Sequence, residues 1–223
     1  KRKRKMGKSE KQMEKEQERN QRIIDTAFRL FVEKKIEAVS MDEVAKEAGV
    51  GRATLFRCYT NKTELAIAVC ASKWKAYLDK LDEVRPISSI QDIPAIGRFT
   101  FTLDSYIGMY QNHKDILQYN DNFNNYVTHQ TVQEEELVNY HVSLNSVNTR
   151  LHMMYAKAKE DKTFRTDIPE EQFMRVTVHT MMAACTHYAG GFVWGATDNK
   201  DYTGDLLLLK EMILNYARNG TNL

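Results

Sequence analysis

Apolar residues recur at intervals of three and four along most of the chain, the spacing that places them on one face of an α-helix. The first such stripe, within residues 20–35, consists of Ile23, Ile24, Ala27, Phe28, Leu30 and Phe31. Only 3 prolines and 10 glycines occur among the 223 residues, which favours long helices over a sheet-rich fold with many turns. The pattern therefore predicts an all-α protein with an amphipathic helix near its start.

Two short helices are predicted after this first one. Ser40 stands three residues before Glu43, the capping-box pattern that opens a helix, and Gly49 stands where that helix would end in a left-handed residue. The second short helix, "RATLFRCY", carries Leu55 and Tyr59 four residues apart as its inward pair. Two short helices joined by a tight glycine turn are typical of a helix-turn-helix unit that binds DNA, although such hairpins also occur as plain packing units.

The outward side of the second short helix suits the major groove of DNA. It carries a glycine, a small apolar residue, a hydroxyl and two cations, namely Gly51, Arg52, Ala53, Thr54 and Arg57. Arginine can donate to two atoms of guanine, and threonine can contact phosphate or a thymine methyl group. Lys62, at the start of the following helix, combines an ammonium group with free backbone amides, a favourable phosphate site. Alternatively, these cations simply solvate a surface helix.

Helical patterns continue to the end of the chain. One helix is predicted over residues 62–84, ending before Pro86, and aromatic residues become frequent beyond that proline. Later helices are predicted over residues 132–160, from 168 to about 194, and over 203–218. We predict no strand.

Charge is distributed unevenly along the sequence. Residues 1–62 carry 17 Lys and Arg against 10 Asp and Glu, whereas the rest of the chain carries 15 against 20. Residues 1–19 lack an apolar stripe, so they are interpreted as a flexible charged arm or a frayed extension of the first helix. The opening run KRKRK either reaches the minor groove, or is a disordered tail that attracts DNA non-specifically, which we favour, or includes residues from outside the native protein.

Three classes of function lack support in the sequence. Cys58, Cys70 and Cys185 have no CxxC spacing and the six histidines form no i, i+4 pair, so neither a metal site nor a disulfide framework is expected. No nucleophile motif, glycine-rich phosphate loop or carboxylate pair indicates an enzyme or a cofactor. No apolar run approaches the ~18 to 20 residues of a membrane helix, so we expect a cytoplasmic protein.

The segment from Ile23 to about Val69 resembles the N-terminal DNA-binding domain of the TetR family of transcriptional regulators. The resemblance lies in "A-x-x-L-F" of the first helix, "S-x-x-x-V-A-x-x-A-G-V" of the second, and "T-L-F-x-x-Y-x-x-K-x-x-L" of the third and fourth. It implies that DNA is contacted by the following residues: Ser40, Met41, Arg52, Ala53, Thr54, Arg57, Cys58 and Lys62. Phe56 and Cys58 stand where members often have tyrosines, so phenolic phosphate contacts are missing at both positions.

The resemblance also implies an architecture and a mechanism. A three-helix helix-turn-helix domain over residues 20–66 would follow the arm, and residues 67–223 would form a larger helical domain for effector binding and dimerisation. The protein would then be a repressor that a small hydrophobic or amphipathic effector releases from a palindromic double-stranded DNA operator. The alternative is a helical protein-interaction or DNA-scaffold factor of the same fold that has no effector.

Candidates for lining an effector pocket are the aromatic and other side chains at helical spacing in the larger domain. They are Phe99, Tyr106, Tyr110, Phe123, Tyr126, Met153 and His179, all of which could instead be ordinary core.

A homodimer is expected through helices near residues 168–195 and 203–218. Small residues that permit close helix approach occur in the first of these segments, at Ala184, Gly190, Gly191 and Gly195. The alternative interpretation of that segment is a kinked helix in the core of one chain.

Overall fold

The computed structural model describes residues 2–132, 134–193, 196–197 and 200–218. The α-helices in these ranges are α1 (Arg2–Lys34), α2 (Met41–Glu47), α3 (Arg52–Cys58), α4 (Lys62–Val84), α5 (Ala95–Asn112), α6 (Lys114–Thr128), α7 (Val138–Asp161), α8 (Glu170–Met174), α9 (Thr180–Ala189) and α10 (Thr203–Arg218). Short 3₁₀ turns cover Ile87–Ile90 and Glu134–Leu137, and a π-helical turn covers Arg175–His179. The predicted all-α class is confirmed.

The helices form two compact units. One comprises Lys1–Lys73 with Asn122–Val142, and the other comprises Trp74–Asp121 with Ser143–Leu223. Helix α4 contributes residues to both units. No helix within the described residues is both long and apolar enough to span a lipid bilayer.

The first unit is built on the apolar stripe of α1. Ile23, Ala27 and Phe31 of that helix are buried, as are Leu55 of α3 and Leu65 of α4. Helix α1 begins at Arg2, so of the two interpretations of residues 1–19 the extension of the first helix agrees with the structure, and the side chains from 10 to 18 along it are exposed.

The ends of α2 follow the chemistry that its sequence predicts. The Ser40 hydroxyl accepts from the backbone N–H of Glu43 at 3.1 Å, and Gly49 ends the helix with a φ of 63°. The second half of the capping box is missing, because the Glu43 carboxylate accepts from Lys34 Nζ at 2.6 Å. That ion pair lowers the pKa of Glu43.

In the second unit, helices α5, α9 and α10 pack on one another. An aromatic cluster fills part of the core: the Phe99 ring lies 5.7 Å from that of Phe164 and 5.2 Å from that of Phe173. The Phe164 and Phe173 rings are stacked at 4.9 Å. Burial of these rings holds together elements that are far apart in sequence.

The helix predicted from residue 168 to about 194 is shorter and interrupted. After Pro169 the chain passes through α8, the π turn and α9, and the helix stops at Ala189. Within the π turn, the buried Thr177 hydroxyl donates to the carbonyl of Phe173 at 2.6 Å, competing with the backbone amide for that acceptor. Gly191, with a φ of 74°, then turns the chain.

Two further predictions about this half of the chain were wrong. The segment after Gly191 forms an antiparallel pairing of β1 (Phe192–Val193) and β2 (Ala196–Thr197), although we expected no strand. The long helix expected over residues 132–160 opens with the 3₁₀ turn Glu134–Leu137, and α7 begins only at Val138. Trp194 and Gly195 lie outside the described residues.

Candidate functional site

Helix α3 is a short helix anchored from one side. Leu55 is fully buried and Tyr59, at its C-terminal end, is nearly so, which confirms the predicted inward pair. Arg52, Ala53 and Arg57 are exposed, as the helix-turn-helix interpretation requires of the side that meets DNA. Their helix therefore presents a small, basic surface on a fixed support.

The two arginines of this surface differ in their surroundings. Arg52 Nε lies 3.0 Å from Asp42 Oδ1 of α2, and its guanidinium lies 5.4 Å from the centre of the Phe56 ring. Because both members of the ion pair are mostly exposed, the pair is weak and DNA can replace it. Among the described residues, no side chain pairs with Arg57. Arg57 is therefore the freer cation.

The other candidates at α2 and α3 are placed less uniformly. Thr54 and Met41 are half-buried, and the Ser40 hydroxyl keeps its proton for a donor role while it caps α2. Cys58 is half-buried and its thiol donates to Asn20 Oδ1 of α1 at 3.5 Å. The structure thus turns Cys58 toward α1, which makes a direct DNA contact by this side chain the least supported of those predicted.

Lys62 is engaged within the protein. Its ammonium donates to the carbonyls of Glu37 and Val39, at 2.9 and 3.0 Å, and lies 5.9 Å from the centre of the Tyr126 ring. Burial lowers its pKa. Two of its three N–H groups therefore brace the start of α4 against the turn after α1. Sequence reasoning missed this role because the acceptors are backbone carbonyls, which leave no side-chain signal.

The second unit contains a cavity of about 60 Å³, bordered mainly by α4, α5 and α7. Its apolar lining consists of Trp74, Tyr77, Leu78, Leu81, Ile90, Ile93, Phe101, Val147, Leu151 and Met154. Its polar lining consists of Asp82, Arg85, Arg98, Thr102, Ser105, Tyr106 and Arg150. A mostly apolar wall with a few polar groups is typical of a site for a small organic ligand.

Arginines dominate one end of the cavity. Asp82 of α4 accepts from Nε of Arg150 of α7 at 3.0 Å, and Arg150 also donates to the carbonyl of Arg85 at 2.9 Å. The guanidinium of Arg85 lies 4.0 Å from the centre of the Phe101 ring. Arg98 donates to the carbonyls of Gln91 and Ile93. Three guanidinium groups thus share the cavity lining with one carboxylate.

The opposite end is aromatic. The Tyr77 hydroxyl donates to the carbonyl of Ser105 at 2.7 Å, and the Trp74 indole donates to Asn120 Oδ1 at 3.1 Å. Tyr106 makes no hydrogen bond to any described residue, and burial raises its pKa to about 12. Tyr106 is therefore a neutral phenol at neutral pH, with its hydroxyl available to a ligand.

The structure does not bring the predicted pocket residues together. Tyr106 lines the cavity, whereas Phe99 lies in the aromatic cluster and the Tyr110 hydroxyl accepts from the backbone N–H of Tyr202 at 2.9 Å. Aromatic spacing alone could not distinguish a side chain in the core from one at a cavity wall.

The remaining four predicted pocket residues also lie away from the cavity lining. Phe123 and Tyr126 belong to the first unit, where the Tyr126 hydroxyl is hydrogen-bonded to the Thr63 hydroxyl at 3.0 Å. Met153 neighbours the lining residue Met154 in sequence but is not part of the lining itself, and His179 is exposed.

Residues 23–69 match the model of a family described as bacterial regulatory proteins, tetR family. A curated helix-turn-helix transcriptional regulator of Staphylococcus aureus strain bovine RF122 / ET3-1 is 32% identical over 68 residues, and its counterpart in strain USA300 has the same identity. These matches cover 30% of this chain and 37% of each relative.

Residues 23–69 are therefore similar to the DNA-binding segment of the tetR family.

Solved structures extend the likeness of fold to most of the chain. FadR from Bacillus halodurans has a TM-score of 0.65 at 15% identity, covering 87% of this chain and 94% of its own. FadR from Bacillus subtilis, solved in complex with stearoyl-CoA, has a TM-score of 0.68 at 13% identity, covering 88% and 98%. A putative TetR-family regulator from Vibrio parahaemolyticus has a TM-score of 0.62 at 16% identity, covering 91% and 100%. The shared architecture is an N-terminal helix-turn-helix followed by a larger helical domain.

Proposed function

We propose that this chain is a transcriptional repressor of the TetR family that a small amphipathic effector releases from a palindromic operator. The observation that carries the proposal is the exposed basic side of α3, which is held in place by buried Leu55 and Tyr59. An anchored helix with exposed cations suits insertion into the major groove.

The surroundings of each side chain suggest its role at DNA. Arg57, which has no partner among the described residues, and Arg52, whose ion pair is exposed, would contact base edges, while Ala53 and Thr54 allow close approach. Ser40 and Met41, at the start of α2, would meet the backbone together with the remaining N–H of Lys62. Cys58 would support α3 through Asn20 of α1.

A homodimer would present two copies of α3 to successive major grooves, about 34 to 36 Å apart. Large apolar side chains are exposed on α10, where Leu208 is 60% and Met212 is 62% exposed, and Val176 of the π turn is 44% exposed. Exposed apolar side chains on helices favour a protein interface. We therefore assign the dimer interface to α10 and the helical segment Glu170–Ala189.

The cavity of the second unit is the proposed effector site. Its apolar lining with a few polar groups favours an effector-responsive regulator over a scaffold factor that has no ligand. FadR from Bacillus subtilis was solved with stearoyl-CoA, an amphipathic molecule, which supports an amphipathic effector here. The C-terminal half of α4 lines the cavity, and the first residues of α4 belong to the first unit together with α3. Movement of α4 would therefore couple effector binding to DNA binding.

Binding to DNA is testable without knowing the operator. Sequences selected from random DNA by the purified protein would be used in fluorescence anisotropy at two salt concentrations. We expect selective binding that weakens with salt, because Lys and Arg contacts to phosphate release counterions. Equal affinity for selected and scrambled DNA would contradict the repressor assignment.

A further inference from the structure

The cavity of the second unit has two unlike ends joined by an apolar middle. Trp74 and Arg85 both line it from the α4 side, and eleven residues of helix separate them by about 16 Å at a rise of ~1.5 Å per residue. The Tyr77 hydroxyl reaches Ser105 and the Arg85 guanidinium reaches Phe101, so α5 runs antiparallel along the same wall. The cavity is therefore elongated, with an aromatic end and an arginine end.

The side chains between these ends are apolar. Leu78 and Leu81 of α4 lie between Trp74 and Arg85, and Val147 and Leu151 of α7 line the same space. A hydrocarbon chain would bury its surface against them at a gain of roughly 25 cal/mol per Å².

The arginine end is prepared for an anion. Arg98 is satisfied by two carbonyls, and Arg150 is satisfied by Asp82 and the carbonyl of Arg85. Among the described residues, the guanidinium of Arg85 stacks on Phe101 and has no hydrogen-bond acceptor. Guanidinium groups bind carboxylates through two parallel hydrogen bonds, so this end offers an unused bidentate site.

Asp82 is the carboxylate partner of Arg150, and a ligand carboxylate can replace it in that ion pair. The Asp82 side chain is 40% exposed, whereas that of Arg150 is 18% exposed. Asp82 can therefore turn into water when a competitor arrives, while Arg150 requires an anionic partner. Because Asp82 belongs to α4 and Arg150 to α7, loss of their ion pair removes one polar contact between the two helices, while the hydrogen bond from Arg150 to the carbonyl of Arg85 remains.

We propose that the effector is an elongated apolar chain ending in an anionic group, and that this group displaces Asp82 from Arg150 and binds Arg85. The inference rests on the effector-controlled DNA binding proposed above and specifies its chemistry. The ligand anion and Asp82 compete for Arg150, so the ligand binds preferentially to the state in which this ion pair is open. Such a difference in affinity between two states is what couples a ligand to a conformational change.

Binding is measured directly with dodecanoate, without DNA. The chain has two tryptophans, and Trp194→Phe leaves Trp74, a cavity-lining residue, as the fluorescent reporter. We expect dodecanoate to change the Trp74 emission and to bind at least about tenfold more tightly than dodecan-1-ol, since the alcohol lacks the charge-assisted hydrogen bonds. Dodecanoyl-CoA, tested in parallel, distinguishes a free carboxylate from a phosphate-bearing head group. Equal affinity for dodecan-1-ol and both anions would overturn the inference.

Substitutions identify the residues that hold the anion. Arg85→Met should weaken dodecanoate binding about tenfold and leave dodecan-1-ol binding unchanged. Arg29→Met is the matched control, because Arg29 is exposed on α1 and pairs with Glu33 and Glu47 rather than with the cavity. Dodecanoate binding that is unaffected by Arg85→Met would show that the anion lies elsewhere and would overturn the inference.

Asp82→Asn tests the displacement itself. Removing the competing carboxylate should tighten dodecanoate binding severalfold, yet dodecanoate should then change DNA affinity less than in the parent protein, because no ion pair remains to be opened. An unchanged effect on DNA would overturn the displacement step.

If dodecanoate binds with the expected dependence on Arg85 but the protein selects no DNA, the repressor assignment fails and the cavity assignment stands. If another effector releases DNA and dodecanoate does not bind, the cavity assignment fails alone.

Discussion

The partners of each cation decide how much of its charge is available to DNA. Arg57 and Lys62 lie five residues apart and carry the same charge, but Lys62 donates to two backbone carbonyls while Arg57 has no partner among the described residues. The Lys62 ammonium would have to break these hydrogen bonds in order to move toward DNA, whereas the Arg57 guanidinium would lose only water. The two residues are therefore expected to respond differently to substitution.

Arg57→Ala should weaken binding to the selected operator by about 1–3 kcal/mol and relax its sequence preference, because a base-edge contact would be lost. Thermal stability should be unchanged, since Arg57 is exposed. Fluorescence anisotropy with operator and scrambled DNA measures the first effect, and Lys75→Ala, at an exposed position of α4, is the control. Equal losses on both DNAs would assign Arg57 to phosphate instead of bases.

Lys62→Met should lower the free energy of unfolding by about 1–2 kcal/mol, because the carbonyls of Glu37 and Val39 lose a charged donor. Chemical denaturation measures this value. Lys46→Met, an exposed lysine of α2, should stay within about 0.5 kcal/mol of the parent. Full stability of Lys62→Met together with a loss of DNA affinity would return Lys62 to a purely phosphate-binding role.

At the scale of helices, the sequence predicted where α2 and α4 end, but it did not predict the π turn that interrupts the helix after Pro169. Ser40, Gly49 and Pro86 mark the ends of α2 and α4 because a hydroxyl cap, a left-handed residue and a missing N–H act within a few residues. The π turn depends on a buried Thr177 hydroxyl that competes for a carbonyl, and burial is a property of the folded chain.

The residues that line the cavity could not be predicted for the same reason, because their positions depend on tertiary packing. Tyr106 and Phe99 both lie on α5 with similar neighbours in sequence, yet one lines the cavity and the other fills the core. Which face of α5 meets α4 is decided by tertiary packing. Helical spacing therefore identifies which face of a helix is buried, but it does not show whether that face packs against other side chains or lines a cavity.

Gly49→Ala tests the turn between α2 and α3. A Cβ at Gly49 would meet nothing within 4 Å, so the cost comes from the φ of 63° alone and should be about 1–2 kcal/mol. Gly108→Ala is the matched control, since Gly108 lies inside α5 and its Cβ position is also open. There alanine should stabilise the helix by up to about 1 kcal/mol. Thermal denaturation gives both values, and a stabilising Gly49→Ala would contradict the need for a left-handed residue.

At the scale of the whole molecule, reading a palindrome requires two copies of the chain. Leu208 and Met212 lie one turn apart on α10, and each is more than half exposed. Two apolar side chains four residues apart form a stripe on one face of a helix, which a second copy of the same helix can cover. The first unit reads at most one half-site, so dimerisation should control affinity for the full operator.

Leu208→Lys combined with Met212→Lys should convert the dimer to a monomer, because four charges would meet across the two-fold interface of a dimer. Affinity for the full palindrome should then fall to that of a single half-site, while half-site binding itself is retained. Sedimentation velocity measures the first effect and fluorescence anisotropy the second. Val84→Lys is the control, since Val84 is a 79% exposed apolar residue of α4 and its charge should leave the dimer intact. A dimer that persists in the double variant would exclude this face of α10 from the interface, and operator binding would then have to be organised by another surface.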